Sequence, residues 1–390
     1  MKKPDQHWIE RGDNCLAQGH TGVNSKRHTC YPENYPSHVV RGEGCYVYDA
    51  WGNRYLDFIC GLGCLLLGHN PPKVTEAVSR QLAQGVIYSL PHVLEIEVAE
   101  KIQELFPHID KVRYLKSGNE ATLAAVRIAR SYSGLPWVYS EGYHGHGDLW
   151  TSMTPPSDGV CDTFKISPEN TKVGLGTVIC EPVGLDASEG RKGRLQAKIE
   201  RADIVIFDEV ITGLRVPKFS VGRWWEMTPD ITVLGKSIAS GFALSVVAGK
   251  RDVMDSDYFV SSTYSGNAVD LAACKATLEE VGKKGINDLW YYANRFQERF
   301  NKVCLPIDVR LTGYGTRGML PVDENPRAAL LLQEMCKAGV LFGKAFFFSF
   351  AHLDANVEDT VMNLLSDAVH RINQGKVKLE GKLPTGTFKR

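Results

Sequence analysis

Two short apolar runs, each closed by a charged residue, constrain the fold more than any other feature of this sequence. Asp208 follows the run at 204–207 (IVIF), and Lys236 follows the run at 231–235 (ITVLG). Such runs are typical of strands that are buried in a sheet. Open α/β sheets bind ligands at one edge, and the sequence predicts that this carboxylate and this amine meet there.

The chemistry of the two charged groups suits covalent catalysis. An amine that forms a covalent bond must be partly desolvated so that it is not always protonated, and Gly235 would let a bulky partner approach Lys236. A carboxylate at the end of an apolar strand is costly to bury alone, so Asp208 requires a cationic partner. Pyridoxal 5'-phosphate (PLP) offers a protonated pyridine nitrogen for the acid and an aldehyde for the lysine, which makes it the candidate cofactor.

Simpler roles for these two residues stay open at this point. Lys236 could be an ordinary surface lysine, and Asp208 an ordinary turn former at the end of a strand. Asp208 with Glu209 also resembles the acidic strand end of a nucleotidase. The run at 235–237 (GKS) resembles the end of a phosphate-binding P-loop, but the first glycine of that motif would fall on Asp230.

Composition excludes several classes of function. Lys plus Arg and Asp plus Glu each total 45, so no net charge favours nucleic acid or an anionic membrane. No apolar run approaches the ~20 residues of a membrane helix, and no signal peptide is visible. The ten cysteines are scattered without a zinc or redox CxxC motif. We expect a cytoplasmic protein with reduced thiols.

The order of the predicted elements indicates an α/β fold. Strands ending at residues 115, 139, 180, 207 and 234, separated by helices and loops, describe a mainly parallel sheet with crossovers. A chain of 390 residues exceeds one core, so roughly two to three domains are expected. We expect an N-terminal arm at 1–45, a large domain at 46–300 and a small α+β domain at 301–390 that includes part of the arm.

For the small domain, the sequence pattern predicts three strands and two helices. The predicted strands are 309–311, 316–322 and 346–351, and the predicted helices are 327–338 and 358–372.

Two polar turns that lead into helices are candidate phosphate sites. Ser117, Gly118 and Asn119 follow a predicted strand and open a helix, whose N-terminus exposes unpaired N–H groups and the positive end of its dipole. A simple capping turn is the alternative, because Ser and Asn are good N-caps. Thr263, in the run TYSGN at 263–267, lies in a second turn of this kind.

The glycine-rich run at 141–148 (EGYHGHGD) predicts a loop that carries aromatic side chains. Tyr143 could stack on a cofactor ring, and His144 could add a second contact. A metal site formed by His144, His146 and Asp148 is a weak alternative, because no further cluster of ligands accompanies them. We therefore predict no metal.

Six motifs together carry a resemblance that none of them carries alone. They are SGNEA (117–121), YHGH (143–146), EP (181–182), DEVITGLR (208–215), LGK (234–236) and TYSGN (263–267). Their order resembles that of class III aminotransferases of PLP fold type I, from about residue 22 to the last helix. Within that class, the YHGH run, the GVNS run at 22–25 and the SFAH run at 349–352 are most similar to glutamate-1-semialdehyde aminomutase.

The resemblance implies a fold and a set of roles. The fold would be PLP fold type I, with a large domain built on a mainly parallel sheet and a smaller α+β domain. Lys236 would form the aldimine with PLP and move protons, and Asp208 would keep the pyridine nitrogen protonated. The other cofactor contacts would be Ser117, Gly118 and Asn119 at the phosphate, Tyr143 and Val210 on the two ring faces, and His144 and Glu181 near the ring. Thr263 would reach the phosphate of a partner subunit, which implies a homodimer with a shared active site.

The leading functional hypothesis is an aminotransferase that moves an amino group from a small-molecule donor to an aldehyde or ketone acceptor through a pyridoxamine intermediate. The alternative is an intramolecular 2,1-aminomutase. The short stretch between Asp148 and Val178 favours the transferase, because the aminomutases carry a longer gating loop there. A non-catalytic binding protein of the same fold is disfavoured by the presence of both Lys236 and Asp208. Candidate substrate contacts are Arg27, Tyr88, Ser89 and Trp150.

Overall fold

The computed structural model describes residues 6–16, 31–151 and 176–384, and the chain divides into two compact units. One unit is formed by residues 72–287, and the other by residues 1–71 together with 288–389. Residues 46–71 and 288–300, which were expected in the large domain, belong to the unit of the chain ends. Arg27 and the run at 22–25 lie outside the described residues, as does most of the stretch between Asp148 and Val178.

The described strands and helices are numbered here in chain order. The strands are β1 (Val39–Glu43), β2 (Tyr46–Asp49), β3 (Arg54–Asp57), β4 (Lys111–Leu115), β5 (Val138–Glu141), β6 (Thr177–Cys180), β7 (Ile204–Glu209), β8 (Ile231–Leu234), β9 (Ser245–Gly249), β10 (Thr312–Tyr314), β11 (Arg317–Met319), β12 (Val340–Leu341) and β13 (Ala345–Phe347). The helices are α1 (Gln6–Cys15), α2 (Cys60–Gly63), α3 (Pro72–Leu82), α4 (Leu94–Leu105), α5 (Gly118–Ser133), α6 (Asp148–Thr151), α7 (Glu189–Ile199), α8 (Val221–Trp225), α9 (Arg251–Met254), α10 (Ala268–Lys284), α11 (Asn287–Cys304), α12 (Pro326–Lys337), α13 (Phe350–Asp354) and α14 (Glu358–Asn373).

The unit formed by residues 72–287 contains a six-stranded sheet in the order β4-β9-β8-β7-β6-β5. Strands β5 to β8 pair in parallel, whereas β9 is antiparallel to both β8 and β4. Because β4 is antiparallel to β9, it runs in the same direction as β5 to β8. The predicted mainly parallel sheet is confirmed, and the carboxyl ends of these five strands share one edge. Strand β9 was not among the predicted strands.

Helix α5 covers one face of this sheet and contacts strands β6 to β9. Its side chains Ala121, Val126 and Ile128 are at most 1% exposed and join Ile206 and Val233 in one apolar core. Burial of a whole Val or Ile side chain contributes about 1.5–3 kcal/mol. This packing fixes the start of α5 against the carboxyl edge of the sheet.

The unit of the chain ends contains two smaller sheets, in the orders β1-β2-β3-β12 and β10-β11-β13. Its core is aromatic. The ring of Phe58 lies 4.7 to 5.5 Å, between centroids, from the rings of Phe296, Phe342, Phe346 and Phe348. Aromatic pairs at these distances add to the stabilisation from burial.

One strand prediction in this unit was wrong, and a second was too long. Residues 309–311 precede β10 instead of forming a strand. The side chain of Asn301 donates to Leu311 O (3.0 Å) and accepts from Leu311 N (2.7 Å). The backbone of Leu311 is therefore hydrogen-bonded to a side chain and not to a neighbouring strand. The strand predicted at 316–322 is shortened to β11.

The strand predicted at 346–351 ends early, at Phe347, and the chain then enters helix α13. The backbone N–H of Ser349, the residue before that helix, donates to Nδ1 of the buried His352 (3.1 Å). A side chain that satisfies the backbone at this point favours the start of a helix over extension of the strand.

Within the described ranges, no helix combines the length and apolar character that are required to cross a membrane.

A partly buried histidine makes the stability of the sheet depend on pH. Nε2 of His108 lies 2.9 Å from Oγ1 of Thr232 in β8. Burial, aided by the charge of Arg223, lowers the pKa of His108 from 6.5 to about 4. Between these two values the unfolded chain binds a proton that the folded chain does not bind. The stabilisation from neutral His108 is therefore complete above pH 6.5 and declines as the pH falls toward 4.

We predict that wild type loses about 2 kcal/mol of unfolding free energy relative to His108→Gln between pH 7.5 and pH 5. Glutamine can still hydrogen-bond to Thr232 but does not titrate. Denaturant unfolding of both proteins at the two pH values measures the difference. Parallel pH profiles for the two proteins would show that His108 does not titrate in this way.

Candidate active site

The ends of β7 and β8 bring the predicted acid and amine to adjacent positions. Asp208 pairs with Val233 in the parallel register, and Lys236 follows β8 after one further glycine, Gly235. Lys236 is partly buried and opens a 3₁₀ turn. Its φ of +45° is one that non-glycine residues rarely adopt. The backbone therefore turns sharply at the lysine, beside the end of β7.

The Asp208 carboxylate is held by two partners in the interior. It is 4% exposed, its Oδ2 lies 2.7 Å from Nδ1 of His144, and its Oδ1 accepts from Val210 N (3.1 Å). A carboxylate accepts hydrogen bonds, so Nδ1 of His144 carries the proton. His144 is itself 3% exposed and packs edge-on against Trp150, with 5.3 Å between the ring centroids.

The loop that carries His144 is tied to helix α5. Oγ1 of Thr122 donates to the carbonyl of His144 (2.6 Å). Oδ1 of Asn119 accepts from the amides of His146 (2.9 Å) and Gly147 (2.8 Å). Gly145 has a φ of +122°, and a Cβ there would lie 2.3 Å from Asn119 Oδ1. The close approach of loop and helix thus requires a glycine at this position.

Tyr143 is the exposed member of the same loop. It is 56% exposed, and its amide donates to Oε1 of Glu181, the residue after β6 (2.9 Å). A Cβ on Gly142 would lie 3.0 Å from Cγ of Glu181, so the loop backbone rests on that glutamate. Tyr143 and His144 are consecutive residues with opposite placements, one open to solvent and the other buried against Asp208.

The turn at the start of α5 fits an anion, and Ser117 also caps the helix. Its hydroxyl accepts from Glu120 N (3.2 Å), and Oε2 of Glu120 accepts from Ser117 N (3.1 Å), which is a capping box. The hydroxyl accepts in this bond, so its own O–H can still donate to an anion. The amides of Gly118 and Asn119, which precede the first intrahelical bond, are further donors.

Val210 lies between the two backbone segments that carry this turn and the lysine. A Cβ on Gly118 would lie 3.1 Å from Cγ1 of Val210, and a Cβ on Gly235 would lie 3.3 Å from the same atom. Both distances are tighter than ordinary van der Waals contact. The two glycines therefore let the turn, Val210 and the start of the Lys236 turn pack directly together.

Glu209 was not singled out from the sequence, yet it is completely buried. Its Oε2 accepts from Thr212 Oγ1 (3.1 Å) and Val221 N (2.9 Å). Its Oε1 accepts from Ser220 Oγ (2.7 Å) and Gly222 N (3.4 Å). Burial raises the pKa of Glu209, although its hydrogen bonds act to lower it. Side chains alternate along β7, so Asp208 and Glu209 face opposite sides of the sheet and serve different purposes.

The remaining predicted contacts are not joined to Asp208. Thr263 lies in an exposed turn that is anchored beside the 86–95 segment by the bond from Ala268 N to Val86 O (3.0 Å). Tyr88 and Ser89 are exposed in that segment.

The placement expected for Trp150 is corrected. It is 4% exposed and supports His144 from behind, because its large apolar ring is better buried than open to solvent. Arg27 lies outside the described residues. Within the described part of the chain, no group of three or more His, Cys, Asp or Glu side chains could hold a metal ion.

Comparisons with known proteins show similarity over most of the chain. The family model for class III aminotransferases matches residues 30–180 and 188–344. The glutamate-1-semialdehyde 2,1-aminomutase of Syntrophobacter fumaroxidans is 31% identical over 385 residues, which cover 84% of this chain and 88% of that protein.

Solved structures share the fold. The PLP internal aldimine form of the FumI protein of Sphingopyxis sp. MTA144 has a TM-score of 0.83 at 20% identity, and the match covers 96% of this chain and 98% of that chain. A glutamate-1-semialdehyde-aminomutase of Pseudomonas aeruginosa has a TM-score of 0.75 at 21% identity and covers 94% of each chain.

The two adjacent acids give a prediction about stability. Glu209→Ala would leave several buried donors without an acceptor and should lower the free energy of unfolding by about 2–4 kcal/mol. Asp208→Asn keeps the shape and an acceptor for Val210 N, and its amide N–H can donate to Nδ1 of His144 in the other ring tautomer. This substitution should therefore cost less than about 1 kcal/mol. Denaturant unfolding of the cofactor-free variants measures both values. Equal losses in the two variants would contradict the distinct roles assigned here.

Proposed function

The chain belongs to the class III aminotransferase family, and on that premise we propose that it binds PLP through Lys236 and transfers an amino group from a donor to an aldehyde or ketone acceptor. The observation that carries the proposal is the buried pair of Asp208 and His144, which lies at the end of β7 beside the lysine turn that follows β8. A buried acid next to an amine is the arrangement that this cofactor requires.

The residues present fit the cofactor. The Asp208 carboxylate is buried and pairs with the His144 ring, and it suits a protonated ring nitrogen as a further partner. The amides of Gly118 and Asn119, at the start of a 16-residue helix, suit a phosphate. Val210, which is pressed between Gly118 and Gly235, offers an apolar surface between the two.

PLP, when bound, supplies an aldehyde that combines with an amine and a ring that takes up the electron pair left when a proton leaves the substrate carbon. Lys236 Nζ would hold the cofactor between turnovers and would carry that proton to and from the carbon. Asp208 would hold a proton on the ring nitrogen. His144 Nδ1–H would orient Asp208, and Tyr143, the exposed aromatic of the loop, would cover one face of the ring.

We also propose that the enzyme acts as a homodimer with a shared active site. In the unit of residues 72–287, exposed apolar side chains lie near the exposed turn of Thr263. Leu90 and Val93 are in the 86–95 segment, and Phe259 and Tyr264 are close to Thr263 in sequence. Exposed apolar side chains of this kind favour association with another protein surface. A second copy of the chain would bring Thr263 to its neighbour's phosphate site.

A second candidate function has specific support. The sequence similarity to glutamate-1-semialdehyde 2,1-aminomutases, at 31% identity over 385 residues, favours an intramolecular transfer of the amino group within one substrate. The same residues would serve both reactions, since the two differ in whether the deaminated product leaves the site before it is aminated again.

We predict that Lys236→Ala abolishes the visible absorption of the lysine-bound cofactor and lowers turnover by at least about a thousandfold, because the variant lacks the amine that binds the cofactor and carries the proton. Lys218→Ala is the matched control. Lys218 is an exposed lysine that pairs with Glu226, and its loss should change neither property. Retention of the absorption band in Lys236→Ala would contradict the role of this lysine.

A screen of donors and acceptors separates the two reactions. We expect that an amino donor alone converts the cofactor to its aminated form, and that a separate aldehyde or ketone then restores the original spectrum. Half-reactions followed by absorption test this expectation. Turnover of an amino aldehyde without any separate donor or acceptor would instead establish the aminomutase.

A further inference from the structure

The segment at 181–187, directly after β6, lies between the two parts of the chain that match the family model. The segment connects β6 to helix α7, and Val183 within it is 1% exposed. One side chain of α7, that of Arg191, holds the start of this segment.

Arg191 contacts the segment through its backbone carbonyls. Nε donates to Pro182 O (3.0 Å), and an η-nitrogen donates to Glu181 O (3.0 Å). The other η-nitrogen pairs with the carboxylate of Glu141 at the end of β5. The Arg191 side chain is 12% exposed. The planar guanidinium thus links the end of β5 to the two consecutive carbonyls that follow β6. The compact ammonium group of a lysine could not make all three contacts.

Glu141 balances the buried charge. Burial alone would raise its pKa, but hydrogen bonds from Lys198 and Arg191 hold the pKa of Glu141 below its usual value. Lys198 lies on the same helix as Arg191 and also contacts Glu141. The end of β5 therefore carries a charged carboxylate to which α7 is attached at two points.

The consequence for the candidate site runs through Glu181. Its backbone is fixed on both sides, because its N–H donates to Glu141 O (3.0 Å) and its carbonyl accepts from Arg191. Its Oε1 accepts from the amide of Tyr143 (2.9 Å). The position of the Tyr143 loop thus depends on where Arg191 holds Glu181.

We propose that Arg191 is a positioning residue for the Tyr143 side of the cofactor site. Its guanidinium holds the backbone carbonyls of Glu181 and Pro182. Through Glu181, Arg191 then sets the position at which Tyr143 meets the cofactor ring. The inference rests on the proposed function, because it assigns Tyr143 to the cofactor ring. Arg191 touches neither cofactor nor substrate.

The alternative is that Arg191 only docks helix α7. Arg191→Lys separates the two roles, because lysine keeps the charge pair with Glu141 but cannot bind both carbonyls in one plane. Arg194→Lys is the matched control on the same helix. The Arg194 side chain is 64% exposed and pairs with Asp186.

The experiment measures amide hydrogen exchange in the cofactor-free proteins, the dissociation constant of PLP by absorption titration, and the melting temperature. For Arg191→Lys we expect exchange in residues 142–147 to accelerate about tenfold, as expected for loss of one hydrogen bond. We also expect PLP affinity to fall about five- to twentyfold, with the melting temperature nearly unchanged. Arg194→Lys should match the wild type in all three measurements.

Unchanged exchange and PLP affinity in Arg191→Lys would overturn the inference. Faster exchange that spreads equally over α7, β6 and β7 would also overturn it, because it would indicate general loosening by loss of helix docking. If wild type binds PLP and transfers amino groups while Arg191→Lys is unaltered, the inference alone fails. If wild type binds no PLP, the proposed function fails first and the inference falls with it.

Discussion

Burial of the Asp208 carboxylate at the end of β7 is the constraint on which the rest of the site depends. An acid in the interior must be paired and hydrogen-bonded, and here His144 and the amide of Val210 supply the partners. The next residue, Glu209, is buried as well but faces the other side of the sheet, where it binds the turn at 212–222. The end of β7 thus carries one acid with a structural role, Glu209, and one acid that we propose for catalysis, Asp208.

The surroundings of Asp208 follow from the need to hold His144. Its loop is attached to helix α5 through Thr122 and Asn119, and to β6 through Glu181. The same attachments place Tyr143 at the surface. One short loop therefore positions two groups of very different character that we propose as cofactor contacts, the buried pair of His144 with Asp208 and the exposed ring of Tyr143. Any group that moves the loop affects both of them.

The sequence predicted the elements that depend on local pattern. Apolar runs located β7 and β8, and their parallel pairing made the proximity of Asp208 and Lys236 predictable. Strand β9 (Ser245–Gly249) was not among the predicted strands. The hydrogen bond between His144 and Asp208 joins residues 64 positions apart, and the Arg191 guanidinium donates to backbone carbonyls. Neither contact leaves a local signal in the sequence.

We propose that Asp208, oriented by His144, holds a proton on the ring nitrogen of PLP beside Lys236. Nitrogen-15 NMR of the enzyme loaded with PLP labelled at the ring nitrogen measures that proton directly. We expect the shift of a protonated pyridine nitrogen in the wild type, and that of an unprotonated nitrogen in Asp208→Asn at the same pH. Identical shifts in the two proteins would contradict the account.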